Sequence, residues 1–428
     1  MNVNQEGFDR RLVVVKQILQ CFNLKSTQVT PLAYAERCPF PYNNFSFKVD
    51  LACPATCASF PGRQPGTSVL PPEGVSTLVV RLSNPLAEGL NNINRVQNEV
   101  ASLHLARQSF EASGLPPVVP AVYAWAGPTF PDVAGEEGFG WLVGEFKPGA
   151  DLDTQFPALS MGEKEAVLWQ IAEIVSALQR VALPQSVTEF GALTFDENGQ
   201  LVSGQMPLLK GGPWSSYDQV WTKKLLSQLE DADKSSLLQG WNGRDVRKQI
   251  NDFLTAGGVT RVLHEVDTTQ RVLIHGDLTM NNMLFDNTTK RITALLDFDW
   301  ACVSHPCDEY LSGLWDIGGG IHDEVQKFQS SIITGDYSSP PSDLSDEELE
   351  EWKVSRAWNS AISKARATRP STIAGVKGIQ ALQELGNLLC PFSLGNEVML
   401  KRMPDEEKSK KKEDTENQIL EWLLKHSA

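Results

Sequence analysis

The sequence predicts an α+β protein with a small sheet-rich N-terminal part and a larger, mostly helical C-terminal part. Three observations carry this. Short apolar runs with strand character fill the first 146 residues in the order strand, strand, strand, helix, strand, strand. From residue 160 onward the apolar spacing is helical. Two later apolar runs, "VLI" (272–274) and "ITALL" (292–296), each end in a polar, acidic cluster.

The elements follow in order. Residues 5–22 have the pattern of an amphipathic helix. "STQVTPLAY" (26–34) and "NFSFKVDLA" (44–52) read as strands, the second alternating Phe45, Phe47, Val49 and Leu51. A Pro/Gly/Ser-rich stretch, 53–74, reads as a surface insertion. "VSTLVVRLS" (75–83) is a third strand, and 90–109 has helical spacing through Ile93, Val96, Val100, Leu103 and Leu105. "PAVYAWAG" (120–127) and "GFGWLVGEF" (138–146) are further strands, broken by the Pro-Gly step after Lys147. The expected division is therefore 1–146 against 147–428, with a ligand cleft between the two parts. Helices are expected at 162–183 and at 345–367, the latter opening with a Ser345/Glu348 capping box. The mixed charge run 405–417 reads as a solvated or mobile segment.

Composition narrows the function. With 428 residues, 41% of them hydrophobic, the chain can bury more than one core. Its formal charge of −15 argues against a nucleic-acid or anionic-membrane partner, and it permits a cationic small substrate. No cleavable leader and no apolar run of about 20 residues are present, so a cytoplasmic protein is expected. The seven cysteines are odd in number and scattered, which fits reduced thiols. Cys53-x3-Cys57 has no second pair with which to hold zinc.

The cluster "HGDLTMNN" (275–282) could be a capped turn. Phosphoryl transfer offers the alternative, because it needs a carboxylate to orient a hydroxyl and oxygen ligands for magnesium beside the phosphates. Asp277 and Asn282, five residues apart, supply one of each. A second metal carboxylate stands fifteen residues after Asn282, at Asp297, where a strand ends. Asp299 and Asn281 compete for these roles on composition alone. A lone HxD is weak evidence; two strand ends in register are stronger.

"LIHGDLTMNNMLFD…ITALLDFDWA" resembles the catalytic segment of the aminoglycoside phosphotransferase and choline kinase family, which has a protein-kinase-like fold. "PYNNFSFKV", "FGALTFDENGQLVSG" and "LLQGW" are similar to its large fungal branch, and the resemblance runs from about residue 25 to 400. It implies a bilobal α+β fold and an ATP- and magnesium-dependent kinase. Asp277 would position the acceptor hydroxyl, with His275 supporting the catalytic loop. Asn282 and Asp297 would hold magnesium, and Asp308 would brace the loop.

The nucleotide side departs from the family pattern twice. The third strand carries Arg81 where many relatives have lysine, with Glu99 on the next helix as its partner. No GxGxxG is present. Asn43, Asn44, Phe45 and Ser46 occupy that place, and the asparagines could turn left-handed to aim backbone N–H groups at phosphate. Glu145, Phe146 and Lys147 resemble the adenine hinge, with backbone groups doing the binding.

Over the catalytic loop, Trp300, Asp308, Glu309, Trp315, Asp316 and Asp323 are candidates for an acceptor wall suited to an amine on an apolar body. The expected substrate is a small alcohol or amino alcohol, such as an amine-bearing metabolite or antibiotic. The resemblance leaves open which alcohol it is, ATP or GTP as donor, oligomeric state, and whether phosphate is the product or a leaving group. The alternative reading is a nucleotide-binding pseudokinase that serves as an interaction module.

Overall fold

The computed structural model of the chain describes residues 4–32, 41–87, 89–128, 140–321 and 328–426. Helix α1 (Phe8–Cys21) begins after a left-handed Gly7 and buries Val14, Val15, Ile18 and Leu19 on one face. Strands β1 (Ser26–Pro31), β2 (Asn44–Ala55) and β3 (Val75–Ser83) follow, then helix α2 (Arg95–Ala112) and strands β4 (Val122–Ala126) and β5 (Trp141–Glu145). The strands form one antiparallel sheet in the order β1-β2-β3-β5-β4. This is the α+β class that the sequence predicts, with an antiparallel sheet in the N-terminal part.

Alternation decides which side chains the sheet buries. Phe45, Phe47, Val49 and Leu51 of β2 and Leu78, Val80 and Leu82 of β3 form one core with α1. Arg81, between Val80 and Leu82, therefore points to the opposite face, paired across the sheet with Ser46 and Leu142. Residues 53–74 are less of a surface excursion than expected. β2 continues to Ala55, and Phe60 and Leu70 are buried in the same core. Phe60 stacks on Tyr123, and Trp125 Nε1 donates to Pro65 O at 2.9 Å. Buried aromatic area holds this stretch down despite its loop-like composition.

The sheet ends at Glu145. The chain forms two compact units. One comprises Met1–Pro213, Val272–Ser304 and Arg356–Ala367, because the later strands fold back beside the first 213 residues. The other comprises Trp214–Arg271, His305–Ser355 and Thr368–Ala428.

In the first unit, helix Met161–Gln179 starts at a Ser160/Glu163 capping box. Strand Val272–Ile274 pairs with Cys302–Ser304, and Met283–Asp286 pairs with both Arg291–Leu295 and Ala150–Asp151. These pairings bring the two polar strand ends together.

The second unit is helical, with Tyr217, Trp221 and Trp241 fully buried. The Ser345/Glu348 box is present, Ser345 N–H donating to Glu348 at 2.7 Å and Glu348 N–H to Ser345 Oγ at 3.2 Å. The run 405–417 corrects the expectation of a mobile segment, for it opens the helix Asp405–His426. Ile419, Trp422 and Leu423 anchor that helix, and Trp422 Nε1 donates to Ala381 O at 3.0 Å. The charges line its outer side, apart from Glu416, which is buried and bonded to Arg244 at 2.6 Å. The apolar anchor lies C-terminal to the charge run, outside any window centred on it.

Candidate active site

The first strand end is a wired loop. His275 is fully buried, and its Nε2 bonds Leu296 O at 2.8 Å while Nδ1 accepts the Asp277 N–H at 3.3 Å. Those partners fix the Nε2–H tautomer. Burial pushes the imidazole down to about 4, so it stays neutral. His275 thus ties one strand end to the other from inside the core, as a positioning residue. Gly276 has φ +80°, and a Cβ there would lie 2.5 Å from Trp300 O. Only glycine fits both that backbone and that approach.

Asp277 and Asn282 face each other across the turn. The Asn282 amide nitrogen donates to Asp277 O at 2.8 Å and to Asp277 Oδ2 at 2.9 Å. With the nitrogen committed, the oxygen Oδ1 is the atom that Asn282 has to offer a cation. Burial raises the Asp277 carboxyl above its ordinary value, the Asn282 bond lowers it, and the charge on Asp297 raises it.

The second strand end carries Asp297 in a left-handed conformation, φ 62° and ψ 62°. Aspartate tolerates that region, and such backbones gather at functional sites. Its side chain is 39% exposed and pairs with Arg81. Asp299, two residues on, is only 3% exposed and receives Arg95 Nε at 3.0 Å, Arg95 Nη2 at 2.6 Å and Asn44 Nδ2 at 2.6 Å. Of the two aspartates, Asp297 is therefore the one open to a metal.

Arg81 stands among three carboxylates. Its Nε lies 3.4 Å from Glu99 Oε1 and its Nη2 lies 3.6 Å from Asp299, besides the Asp297 contact. Burial would lower its affinity for a proton; Asp297, Glu99 and Asp299 more than offset this, so it stays charged. Burial pushes Glu99 up to about 7, with Arg81 pulling it back. Burial opposes charge on Asp299 too, but Arg81 and Arg95 hold it below the usual carboxylate range. A cavity of about 240 Å³ opens here, lined by Asn43, Asn44, Ser46, Arg81 and Asp297 among others.

The donors on offer, an amide oxygen and a carboxylate, are those a hard cation such as Mg2+ takes when phosphates supply the rest. Among the described residues no group of three or more His, Cys, Asp or Glu forms a self-sufficient metal cage.

One expectation about the nucleotide side is corrected. Asn44, Phe45 and Ser46 are already strand residues of β2, and neither Asn43 nor Asn44 has positive φ. Hydrogen bonds, not turn geometry, hold them: Asn43 O accepts Arg95 Nη2 at 2.6 Å and the Asn84 N–H at 2.9 Å. At the hinge, the Glu145 side chain has work of its own. It accepts Lys147 Nζ at 2.7 Å and the Ala121 N–H at 3.1 Å, while the Glu145 N–H donates to Ala121 O. The Phe146 ring lies 5.2 Å from Lys48 Nζ.

The acceptor candidates separate. Trp300 lies against Gly276 in the first unit. In the second, Asp308 is buried and accepts Tyr217 Oη at 2.6 Å, with Lys224 at 3.4 Å. Glu309 is buried, Asp316 partly exposed, and Trp315 is 50% exposed. Asp323 lies outside the described residues.

Arg95 and Asn98 were not singled out by the sequence. Asn98 Nδ2 donates to Ala301 O at 2.7 Å, and its Oδ1 accepts the Leu193 N–H at 2.8 Å. The available signal was the spacing of Arg95, Asn98 and Glu99, three polar residues on one helix face.

The profile of the phosphotransferase enzyme family matches residues 70–329. No curated relative matches the chain. Among solved structures, the chain is similar to a candidate aminoglycoside phosphotransferase of Ralstonia eutropha (14% identity, 97% of this chain and 98% of that one, TM-score 0.47). ADP-bound aminoglycoside phosphotransferase APH(2'')-Ib gives 13%, 95%, 98% and 0.43. A Plasmodium vivax ethanolamine kinase gives 12%, 95%, 87% and 0.44.

Proposed function

Because the chain belongs to the phosphotransferase enzyme family, we propose that it transfers the γ-phosphoryl group of ATP to a hydroxyl of a small alcohol or amino alcohol. The observation that carries this reading is the Asp277–Asn282 pair beside Asp297. One carboxylate is buried enough to act as a base, Asn282 offers an amide oxygen on the same turn, and Asp297 offers a carboxylate at the neighbouring strand end.

Asp277 orients the acceptor hydroxyl and takes its proton as the oxygen attacks phosphorus. The new O–P bond forms as the bond to the β-phosphate oxygen breaks, and ADP leaves. Asn282 Oδ1 and Asp297 would hold Mg2+, which when bound screens the phosphate charge. Arg81, steadied by Glu99, moves its guanidinium from Asp297 toward the phosphates; its planar fork can serve both. The backbone of Glu145 and Lys147 meets the purine, with the Glu145 side chain fixing the strand end. Trp300, which lies against Gly276 in the same unit as Asp277, is proposed to meet the acceptor. The division of labour between a nucleotide part, 1–146, and an acceptor part, 147–428, belongs to the same proposal, as does a cytoplasmic setting.

The test is binding first and turnover second. MgATP at about 100 times its dissociation constant should stabilise the fold by roughly 2.7 kcal/mol. A screen of alcohols, amines and sugars by mass spectrometry should then find a product heavier by one phosphoryl group. Binding without turnover on any acceptor class would favour the pseudokinase. No shift with ATP, GTP or ADP would remove the nucleotide site.

A further inference from the structure

Arg95 opens helix α2 and is almost wholly buried, at 3% exposure. Its guanidinium makes six hydrogen bonds, which join Asp299 to Asn43 and Asn44 and to Asn84 and Asn92. Nε and Nη2 grip both oxygens of Asp299. Nη2 also reaches Asn43 O at 2.6 Å and Asn44 Oδ1 at 3.1 Å, and Nη1 reaches Asn84 O at 3.1 Å and Asn92 Oδ1 at 3.3 Å. Asn44 closes the circuit by donating to Asp299 Oδ2 at 2.6 Å. The start of β2 is thereby bolted to the turn that carries Asp297 two residues before Asp299. Asn43 and Asn44 line the same cavity as Arg81 and Asp297.

A charged, planar hub of this kind is costly to bury unless every donor is used. Here each nitrogen of the guanidinium has at least one partner, so the hub is rigid. Its position matters, since the entrance of β2 stands where a phosphate-covering glycine loop would end, and this chain has no such loop. A glycine loop holds phosphate by backbone conformation. This chain fixes the same strand entrance by side chains.

We propose that Arg95, Asp299 and Asn44 are positioning residues for the nucleotide polyphosphate, a polar clamp that sets the distance between the β2 entrance and the Arg81/Asp297 pair. The inference rests on the nucleotide reading above and adds residues to it. The clamp acts on nucleotide affinity, not on the attacking hydroxyl, and it touches neither the acceptor nor the base.

The experiment measures MgATP and MgADP dissociation constants with a fluorescent nucleotide, beside the thermal midpoint, for the full chain and for Asn44→Ala, Asn44→Asp and Arg95→Lys. Asn44→Ala removes only the end of the clamp, so the fold should survive with a midpoint shift of about 2 °C or less. Its affinity should fall about tenfold, the worth of one charge-assisted hydrogen bond. Asn44→Asp adds a charge beside Asp299 and should bind more weakly still. Arg95→Lys keeps the charge but loses the fork, and its affinity should fall at least as far; combined with Asn44→Ala, the effects should be less than additive. Should Arg95→Lys fail to fold, the two Asn44 variants decide. Wild-type affinity in both Asn44 variants overturns the clamp and leaves the nucleotide reading standing. Failure of the unmodified chain to bind either nucleotide removes that reading, and the clamp with it.

Discussion

The Asn282 amide donates to the Asp277 carboxylate at 2.9 Å, so a proposed metal ligand and a proposed base hold each other in place. The pairing makes their variants distinguishable. Asp277→Asn keeps shape and loses charge. Turnover should fall by about 10² to 10⁴, the usual worth of a positioned general base. MgATP affinity should stay within a few-fold. Asn282→Ala should weaken both, because a metal oxygen and the orienting amide go together. Calorimetry with MgATP and single-turnover rates on an identified acceptor check this. Full transfer by Asp277→Asn would place the chemistry elsewhere.

Asp297 and Asp299 should respond in opposite ways. Asp299 is buried with Arg95 against it, and Asp299→Asn leaves a charged guanidinium short of its partner, at a cost of roughly 3–5 kcal/mol. Asp297 is partly exposed, and Asp297→Asn should leave the midpoint nearly unchanged while metal-dependent nucleotide binding is lost. Denaturant titration and Mn2+ binding with ATP read the two effects. Equal stability losses would contradict the assignment.

Arg81→Lys keeps the positive charge, yet it should be harmful here. An ammonium lacks the fork with which Arg81 faces Glu99 on one side and Asp297 on the other. Nucleotide affinity should drop about tenfold or more. An improvement would show that lysine suits this frame and that the arginine serves another purpose.

Gly276→Ala tests the loop's backbone. The substitution meets Trp300 O at 2.5 Å and must adopt φ +80°, so it should cost at least about 1–3 kcal/mol and depress turnover as the loop shifts. An unchanged melting midpoint would show that the loop yields freely.

Acid should unfold this protein early. Burial pushes His275 and His305 down to about 4 from an ordinary 6.5. Between those values the unfolded chain holds more protons than the folded one. Each histidine's contribution is therefore complete above pH 6.5 and is lost as pH falls toward 4, at most about 3 kcal/mol each. Glu99, raised to about 7, runs the other way, since the folded state holds the extra proton between 4.5 and 7. Melting points from pH 7 to 4.5 should fall with acidity, more steeply in Glu99→Gln and less steeply in His275→Gln. A flat profile in all three would mean that these groups titrate normally.

Legible from the residues alone were the five strands of the first sheet and the pair of polar strand ends. Each depends on local alternation: Phe45, Phe47 and Val49 bury one face whatever lies beyond them, and Leu82 and Val80 force Arg81 to the other. The spacing from Asp277 to Asn282 was equally legible, because five residues of turn fix their reach. Partnership at a distance was not legible in this way. Arg95 and Asp299 are 204 positions apart, and nothing in either segment names the other. Asn44 looked like a turn residue because its type suits turns; it is a strand residue whose amide answers a buried carboxylate. The run 405–417 looked solvated because it is charged, and it is helical because Trp422 and Leu423 anchor it from beyond its end. Propensity and spacing act within a few residues, whereas a buried charge takes its position from whichever opposite charge the folded chain brings within bonding distance.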